Sequence, residues 1–324
     1  MSFFRFVSIV IAGFLAVALP AGPAAAQPKS VKITAIVDHP ALDACRQGAI
    51  EALAERGFVD GQTIAIEFQS AQADVGTAGQ IARKFAGDRP DVVIAISTPS
   101  AQAVLSAVRG TAPIVFSAVS DPLSARLVKD LDHPSGNVTG VTDRLPLERH
   151  LELIREVLPG LRRLGVLFNP GEANSAAEVA RLRDLASAQG ITLIEGAAPD
   201  TNSVVSAARG LAGRVDAFYA PLDNTVVSAL ESVVKVSIDS KTPLFAGDTA
   251  WVARGAVASV GFDYHDIGRR TGQIAADILE GADPGAIPVR PIDRLRLVVN
   301  PDSAARMGLV LPEALLARAQ EIVK

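Results

Sequence analysis

The amino-acid sequence predicts an α/β fold of two similar lobes, each built on a parallel sheet covered by helices on both faces. The first observation is an internal repeat, since the apolar run and polar exit of residues 91–99 return in the same pattern at residues 216–224. The second is a regular alternation of strand and helix patterns, which is typical of parallel sheets. The third is the length of 324 residues, which suits two domains of about 100–150 residues each. We therefore expect two Rossmann-like lobes joined by a hinge of three chain crossings.

The first series of elements precedes residue 142. Its strands are nearly continuous apolar runs, as expected for strands buried on both faces, and its helices carry apolar residues at spacings of three and four. Gly57 is placed to end the first helix. The predicted strands are 31–38, 63–68, 91–97, 114–119 and 138–141, and the predicted helices are 41–56, 76–86 and 101–108.

The second series repeats the first. A strand from residue 164, a helix that reaches Gly190 and a strand from Thr192 match a strand from residue 33, a helix that reaches Gly57 and a strand from Thr63. Pro113 and Pro243 open the fourth strand of each series. The predicted helices are 147–157, 175–189, 203–211 and 225–238, and the predicted strands are 163–168, 192–195, 216–220 and 243–246.

The tail of the chain adds elements that neither series needs. They are a strand at 257–262, a helix at 265–280, a Pro/Gly-rich loop at 281–291, a strand at 295–300 and a final helix after Pro312. We expect the tail to re-enter the first lobe and then the second. The first lobe would then hold residues 27–143 with about 263–292, and the second 144–262 with about 293–324.

The N-terminus has the pattern of a secretory signal peptide over residues 1–26. Arg5 precedes an apolar run of 14 residues, and the small residues before Gln27 offer a cleavage site near Ala26. The run is short of the roughly 20 residues that span a bilayer. We expect cleavage and release of a monomeric protein into the periplasm.

Composition narrows the function classes. Without residues 1–26 the chain has 30 basic and 35 acidic residues, a net charge of −5, and this balance does not favour nucleic acid or anionic lipid as a partner. Cys45 is the only cysteine, so no internal disulfide can form. Nearly half of the residues are apolar, which indicates an ordinary globular protein with a sizeable core.

Short polar residues follow almost every predicted strand. In open parallel sheets the residues beyond the carboxyl ends of the strands line the ligand crevice, and the helix N-termini there present free N–H groups. Capping of the following helix is the alternative at any one of these positions. The predicted ligand-binding residues are Asp38, His39, Gln72, Ser97, Thr98, Pro99, Ser100, Ser120, Asp121, Asn169, Glu172, Asn174, Ser175, Asp223, Asn224 and Asp248.

These residue types favour a zwitterionic solute. The helix starts at Thr98 to Ser100 and at Asn174 and Ser175 could each hold a carboxylate with N–H groups and hydroxyls. An ammonium group needs a counter-charge when it is buried, and the candidates for that charge are Asp121, Asp223 and Asp248. Phe168, Tyr219, Phe262 and Tyr264 lie near strand ends and could flank an apolar side chain, with the core as their alternative place.

Nothing in the sequence has the pattern of a catalytic, metal or cofactor site. Of the four histidines only His39 follows a predicted strand, and it has no second ligand at metal spacing. A Gly-x-Ser-x-Gly elbow, a phosphate loop and a dinucleotide fingerprint are missing from the sequence. We therefore expect a binding protein, with no cofactor and no resident metal, rather than an enzyme.

Several short motifs occur in order along nearly the whole chain after residue 26. They are His-Pro-Ala-Leu-Asp-Ala at 39–44, Ala-Gln-Ala-Asp at 71–74, Ser-Thr-Pro-Ser-Ala-Gln-Ala at 97–103, Val-Ser-Asp-Pro at 119–122, Asn-Val-Thr-Gly-Val at 137–141, Asn-Pro-Gly-Glu-Ala-Asn-Ser at 169–175, Asp-Asn at 223–224 and Gly-Phe-Asp-Tyr at 261–264 with Gly268. With these motifs the sequence resembles the ABC-transporter substrate-binding proteins of the type I periplasmic fold that include binders of tryptophan and other aromatic amino acids.

The resemblance implies that the protein captures a small solute between its lobes and delivers it to ABC permease subunits in the inner membrane. The implied solute is an amino acid, with the aromatic amino acids as the first candidates. Two alternatives stay open from the sequence: a periplasmic sensor that partners a chemoreceptor or sensor kinase, and a binder of a carboxylate that is not an amino acid. A secreted enzyme on the same scaffold is disfavoured because no nucleophile or acid/base pair is apparent.

Overall fold

Two sets of parallel strands carry the fold. The computed structural model describes residues 27–134, 136–292 and 294–323, so the predicted signal peptide lies outside the described residues. The strands are β1 (Lys29–Ala35), β2 (Ile64–Ser70), β3 (Val92–Ile96), β4 (Ile114–Ser117), β5 (Val138–Thr142), β6 (Arg163–Phe168), β7 (Thr192–Ala197), β8 (Ala217–Ala220), β9 (Leu244–Ala246), β10 (Ala258–Phe262), β11 (Arg290–Pro291), β12 (Leu295–Val299) and β13 (Glu321–Ile322).

Helices alternate with these strands, as the sequence predicts. They are α1 (Pro40–Glu55), α2 (Val75–Asp88), α3 (Thr98–Val108), α4 (Leu147–Val157), α5 (Ala173–Ala188), α6 (Thr201–Leu211), α7 (Asn224–Val227), α8 (Leu230–Ser240), α9 (Ala250–Ala253), α10 (Tyr264–Leu279), α11 (Pro301–Arg306) and α12 (Glu313–Arg318), with a 3₁₀ turn at Pro284–Ala286.

The strand order confirms that the chain repeats one architecture. The first sheet has the order β11-β5-β4-β3-β1-β2 and the second has the order β7-β6-β8-β9. All neighbouring strands within these two sheets are parallel. β2-β1-β3-β4 and β7-β6-β8-β9 therefore place corresponding strands of the two series in the same order. We call the first sheet with its helices the first lobe.

A third sheet, of order β10-β12-β13, continues the second one. The backbone N–H of Val257 donates to the Leu244 carbonyl at 2.8 Å, which joins the start of β10 to β9. β12 is antiparallel to β10, which the expectation of purely parallel sheets did not include. The chain leaves at the end of β10 and returns at that same end, where Phe262 pairs with Leu295, so β12 must run backwards. These two sheets and their helices are the second lobe.

The predicted helix at 225–238 is wrong in one respect, since it is two helices, α7 and α8. The Val227 carbonyl accepts a hydrogen bond at 2.9 Å from Nη2 of Arg254, which lies on a different element. The Ser228 hydroxyl donates to the Asn224 carbonyl at 2.8 Å. The distant contact from Arg254 and the local bond from Ser228 both occupy carbonyls of this turn, and the helix ends after it although the apolar spacing continues.

Close packing of α10 on α1 anchors the tail in the first lobe. A Cβ atom at Gly268 would lie 1.9 Å from the Cys45 carbonyl oxygen, and one at Gly272 would lie 2.3 Å from that of Ala49. Only glycine allows two helix backbones to approach so closely. The Arg269–Glu55 ion pair, at 2.7 Å, borders the same contact.

The chain passes between the two lobes three times, which agrees with the predicted hinge. The passages follow β5, β10 and β11. The Tyr264 hydroxyl, just after the second passage, donates to Oδ2 of Asp143, just after β5, at 2.8 Å. This hydrogen bond links two of the three passages. The residue boundaries of the lobes stay a prediction.

Candidate functional site

The candidate site is the cleft between the two lobes, and it has two compartments. The outer groove has a volume of about 1000 Å³ and is lined from α2 and α3 on one side and from the turns after β6, β7 and β8 on the other. The inner cavity is narrower, with a volume of about 30 Å³, and most of its lining side chains are buried. Its lining is His39, Leu42, Ser97, Thr98, Ala118, Ser120, Asp143, Asn174, Leu222, Asp223, Asn224, Val227, Asp248, Trp251 and Tyr264.

The inner cavity lies where the topology of the sheets predicts a ligand. In each lobe the order of strands reverses beside the first strand of the series, between β1 and β3 and between β6 and β8. Such switch points open a crevice at the carboxyl ends of the strands. The turns after β1, β3 and β8 supply His39, Ser97 and Asp223 to the cavity, and the start of α5, which follows β6, supplies Asn174.

Unpartnered polar atoms distinguish the inner cavity from the larger outer groove. Six lining side chains have a buried nitrogen or oxygen atom with no hydrogen-bond partner among the described residues, a state that costs about 1–3 kcal/mol for each group. A polar solute would satisfy them. The atoms are His39 Nδ1, Ser97 Oγ, Thr98 Oγ1, Asp143 Oδ1, Asn174 Oδ1 and Trp251 Nε1.

The first-lobe wall contains the N-terminus of α3. Ser97 precedes this helix with a φ of 78°, and its backbone N–H donates to the Ser117 carbonyl at 2.9 Å. Its side chain does not cap the helix, so the first N–H groups of α3 can receive an anion. Gln72, Ala73 and Ala118 also have positive φ angles, of 53°, 64° and 53°. Such backbone strain clusters at functional sites.

The second-lobe wall is held by carboxylates that are already hydrogen-bonded. Asp223 Oδ1 accepts from the Val226 N–H at 2.8 Å, and Oδ2 accepts from the Asn169 N–H and the Ser175 hydroxyl, both at 2.6 Å. Burial, reinforced by the nearby Glu172 carboxylate, raises the pKa of Asp223 to about 7. These three bonds occupy the carboxylate of Asp223 and make it a structural group of the wall.

Glu172 has a similar structural role. Its Oε1 accepts from the backbone N–H and the hydroxyl of Thr225, at 3.0 and 2.8 Å. Its Oε2 accepts from the backbone and side-chain N–H groups of Asn224, at 3.1 and 2.6 Å. The side chain thereby caps α7 and fixes the turn that carries Asp223.

Two further carboxylates, Asp143 and Asp248, are buried in the cavity wall and form no ion pair among the described side chains, although the positive charge of Arg254 lowers the pKa of Asp248 in part. Burial raises the pKa of Asp143, although the hydrogen bond from Tyr264 lowers it in part. Burial, with Asp143 nearby, raises the pKa of Asp248 to about 7 even though Oδ1 accepts from the Ala250 N–H at 2.9 Å. A cationic group of a solute would supply the missing counter-charge.

His39 faces these groups as a neutral imidazole. Burial lowers its pKa to about 4, and the positive charge of Arg254 in the second lobe lowers it further. A neutral ring has one donor and one acceptor nitrogen, so Nδ1 can bond a polar atom of a solute in either role.

The structure brings eight of the predicted ligand-binding residues into the inner cavity, and the ligand role of each stays a prediction. Three more, Pro99, Asn169 and Glu172, line the outer groove, which Asn224 also borders. The eight are His39, Ser97, Thr98, Ser120, Asn174, Asp223, Asn224 and Asp248.

Five predicted residues line neither compartment. Gln72 Nε2 donates to Asp38 Oδ2 at 2.6 Å, and the two side chains bond each other. Asp121 Oδ1 accepts from the Ser124 N–H at 2.9 Å in a turn that no helix follows, so it caps a turn and not a helix. Ser175 donates to Asp223. Ser100 is buried one turn into α3, with its Oγ unpartnered among the described residues.

Sequence reasoning missed two polar residues of the cavity, Asp143 and Trp251. Asp143 follows β5, so the strand-end rule would have found it had it been applied to the fifth strand. Trp251 lies on α9, a single turn of helix too short to leave a periodic pattern. Tyr264, which the sequence offers as a flanking aromatic residue, does line the cavity. Phe168, Tyr219 and Phe262 are buried outside it.

No cluster of three or more metal-ligating side chains occurs within residues 27–134, 136–292 and 294–323. Over the same ranges no helix is long and apolar enough to cross a bilayer.

A family model described as "ABC transporter substrate binding protein" matches residues 30–323, nearly all of the chain that the structure describes. The chain belongs to this family of substrate-binding proteins. It is 37% identical over 320 residues to a protein named tyrosine-binding protein from Clostridioides difficile, and the match covers 94% of this chain and 92% of that protein. The family comprises solute-binding proteins rather than enzymes.

Two solved structures share the fold of this chain but superpose on it to different extents. A domain from Streptococcus pneumoniae in complex with L-Trp is 34% identical, covers 91% of this chain and 100% of its own, and superposes with a TM-score of 0.88. The ligand-free, open structure of a Clostridium difficile substrate-binding protein is 38% identical and covers 91% and 99%, yet its TM-score is 0.69. This chain therefore superposes more closely on the L-Trp complex than on the ligand-free, open structure, although its identity to the open one is higher.

More distant solved structures of sugar-binding transport proteins, at 17% and 16% identity and TM-scores of 0.64 and 0.60, share the fold. The fold is that of the type I periplasmic binding proteins, as the sequence predicts.

Proposed function

We propose that this protein captures an aromatic amino acid in the inner cavity and delivers it to ABC permease subunits. The observation that carries the proposal is the set of unpartnered polar atoms around Asp143 and Asp248. Two buried carboxylates with raised pKa values call for a cation, while the N-terminus of α3 in the first-lobe wall presents hydroxyls and helix N–H groups that call for an anion. An α-amino acid carries both charges on one carbon atom.

The carboxylate of the solute would lie at the N-terminus of α3. The hydroxyls of Ser97 and Thr98 are buried and have no other partner within the described chain, and the helix dipole favours negative charge at this end. The ammonium group would bond Oδ1 of Asp143 and Oδ1 of Asn174, with Asp248 adding charge.

The side chain of the solute would lie among Leu42, Leu222, Val227 and Trp251. These groups supply apolar contact area for an aromatic ring. Two polar atoms then remain, the Trp251 N–H and Nδ1 of His39. A phenol hydroxyl can accept from the Trp251 N–H and donate to Nδ1 of His39. An indole N–H can donate only to His39, and a phenyl ring can form a hydrogen bond with neither atom. The proposed order of affinity is therefore L-tyrosine, L-tryptophan, L-phenylalanine.

The relatives support this choice of solute. One is named for tyrosine and another was solved with L-Trp. The missing counter-charge of Asp143 and Asp248 also disfavours the alternative of a carboxylate that is not an amino acid, because such a solute would leave both acids uncompensated.

Solute binding would close the lobes. Among the described residues, no side-chain hydrogen bond or ion pair joins the first lobe to the second away from the three passages; the Tyr264–Asp143 and Arg296–Asp263 contacts both lie at passages. A solute that bonds both walls would therefore supply most of the polar contact that distinguishes the closed form, and it shifts the equilibrium toward it. Closure would be the signal that the permease reads.

The proposal includes the predicted location and organisation. The protein would be exported through residues 1–26, act in the periplasm as a monomer, and consist of lobes at 27–143 with about 263–292 and 144–262 with about 293–324.

Calorimetry with purified residues 27–324 tests the solute. We expect L-tyrosine to bind with a Kd near micromolar, about −8 kcal/mol, and to raise the melting temperature because it binds only the folded protein. The matched probe is 3-(4-hydroxyphenyl)propionate, which lacks the amine and should not bind. Tight binding of this amine-free acid, or no response to any aromatic amino acid, would refute the proposal. Loss of labelled tyrosine uptake in cells lacking the protein would separate transport from sensing.

A further inference from the structure

A buried polar chain lies directly behind the second-lobe wall of the inner cavity. It consists of Glu178 on α5, Tyr219 on β8 and His150 on α4, which are 4%, 0% and 2% exposed. The Tyr219 hydroxyl lies 3.2 Å from Oε1 of Glu178 and 3.3 Å from Nδ1 of His150. None of the three side chains lines the cavity, so direct contact with a solute does not account for them.

Glu178 reaches the cavity wall through the backbone of Leu222. The Leu222 N–H donates to Oε2 of Glu178 at 3.4 Å, and the Leu222 carbonyl accepts from Nδ2 of Asn174 at 2.6 Å. Asn174 and Glu178 are four residues apart on α5 and therefore share one face of the helix. Two side chains of one helix thus hold both polar groups of a single residue in the wall.

We propose that Glu178 is a positioning residue for the solute: it fixes Leu222 and, through it, directs Oδ1 of Asn174 into the inner cavity. The proposal rests on the proposed function of that cavity. Asn174 can offer its oxygen to an ammonium group only while its nitrogen stays on the Leu222 carbonyl. A shift of Leu222 would therefore cost the solute one hydrogen bond and part of its apolar contact.

The surroundings of Glu178 indicate that it works as a neutral acid. Burial raises its pKa to about 8, the Asp143 carboxylate raises it further, and the Leu222 N–H, the Tyr219 hydroxyl and the more distant Arg181 lower it in part. Burial also lowers the pKa of His150 to about 4. A neutral carboxyl can donate to the Tyr219 oxygen while Tyr219 donates to neutral His150, and Oε2 stays free to accept from Leu222. A neutral glutamine can make the same bonds.

Four variants test this role by calorimetry with L-tyrosine, alongside the melting temperature of each ligand-free protein. Glu178→Gln should keep the wild-type Kd within about threefold, because its amide oxygen replaces Oε2 and its N–H groups replace the carboxyl proton. Glu178→Leu should weaken binding about tenfold or more, since Leu222 loses its acceptor. Glu178→Asp, which is one methylene too short to reach Leu222, should weaken binding as well. Tyr219→Phe should lower the melting temperature but keep the Kd, because it leaves Oε2 on Leu222.

A double-mutant cycle with Asn174→Ala separates positioning from general damage to the lobe. If Glu178 acts through Asn174, the loss of affinity in Glu178→Leu/Asn174→Ala should be clearly smaller than the two single losses together. Should Glu178→Leu not fold, Glu178→Asp takes its place in the cycle.

Three results would overturn the inference: wild-type affinity in Glu178→Leu and Glu178→Asp, a loss in Glu178→Gln as large as in Glu178→Leu, or full additivity in the cycle. If the wild-type protein itself binds neither L-tyrosine nor L-tryptophan, the proposed function fails instead. The two failures are therefore distinguishable.

Discussion

Asp248→Asn should change stability and affinity in opposite directions. Asp248 is 2% exposed, accepts one backbone hydrogen bond and forms no ion pair among the described side chains, although the charge of Arg254 acts on it. Asparagine has nearly the same shape and keeps the acceptor for the Ala250 N–H, so the substitution removes the charge and little else. A variant that only damages the fold lowers both stability and affinity. Asp248→Asn should instead raise the stability and lower the affinity for the solute.

The structure gives the magnitude of the stability change. The pKa of Asp248 rises from 3.8 to about 7 on folding, which corresponds to about 4 kcal/mol at about 1.4 kcal/mol for each pH unit. Because the folded protein holds the proton more tightly, the stability of the ligand-free protein falls as pH rises from about 4 to about 7 and stays low above that range. Asparagine removes this loss. We expect about half of it to be recovered, since the amide N–H groups of asparagine need partners of their own, and a gain of about 2 kcal/mol raises the melting temperature by about 4 °C.

Scanning calorimetry of the ligand-free variant at pH 8, and titration calorimetry with L-tyrosine, measure the two effects. Affinity should fall about tenfold or more because a buried ammonium group loses a counter-charge, although Asp143 remains. Asp121→Asn is the matched control, since its carboxylate caps the Ser124 N–H and an asparagine can do the same. A lower melting temperature with unchanged affinity in Asp248→Asn would show that the carboxylate is structural and would refute the reasoning.

Three further predictions concern other parts of the molecule. Burial and the charge of Arg254 lower the pKa of His39 from 6.5 to about 4, so protonation of His39 should destabilise the closed form as pH falls through this window. The affinity for L-tyrosine should therefore drop about tenfold or more between pH 7 and pH 5. Calorimetry should show a smaller drop in His39→Asn. Gly268→Ala would place a Cβ atom 1.9 Å from the Cys45 carbonyl oxygen, and denaturant unfolding should show a loss of about 3 kcal/mol or more; a loss below about 1 kcal/mol would contradict the close packing of α1 and α10. Asn174→Ala should weaken L-tyrosine binding about tenfold with a melting temperature within about 4 °C of wild type, and an unchanged Kd would remove this residue from the site.

The fold could be predicted because its pattern of strands and helices occurs twice in the sequence. The apolar runs at 92–96 and 217–220 are buried throughout, as strands covered on both faces must be, and their matching exits place Ser97 and Asp223 at corresponding points of the two lobes. Local spacing was sufficient there. It failed at α7 and α8, where the guanidinium of Arg254 takes the Val227 carbonyl out of the helix, because no local pattern records a contact with a residue 27 positions away.

The candidate site could be predicted in outline and not in its charges. The strand-end rule places Asp121, Asp223 and Asp248 near a crevice but cannot tell a carboxylate that caps a turn from one that faces a solute. Asp121 and Asp223 are occupied by backbone N–H groups, whereas Asp143, at the end of the fifth strand, keeps Oδ1 unpartnered within the described chain. Which oxygen remains available depends on side-chain packing, and packing is decided by the tertiary structure.

The positive φ angles at the ends of β2, β3 and β4 make the two copies of the repeat unequal. Gln72, Ala73, Ser97 and Ala118 all belong to the first copy, while the second copy shapes its wall with the side-chain caps of Glu172 and Asp223. A wall shaped by positive φ angles tolerates few substitutions, because most residues disfavour this backbone conformation. A wall shaped by side chains can be changed one residue at a time. Libraries that aim to change the solute of this binding protein should therefore vary the other lining residues of the second copy, keep Glu172 and Asp223, and leave the first copy unchanged.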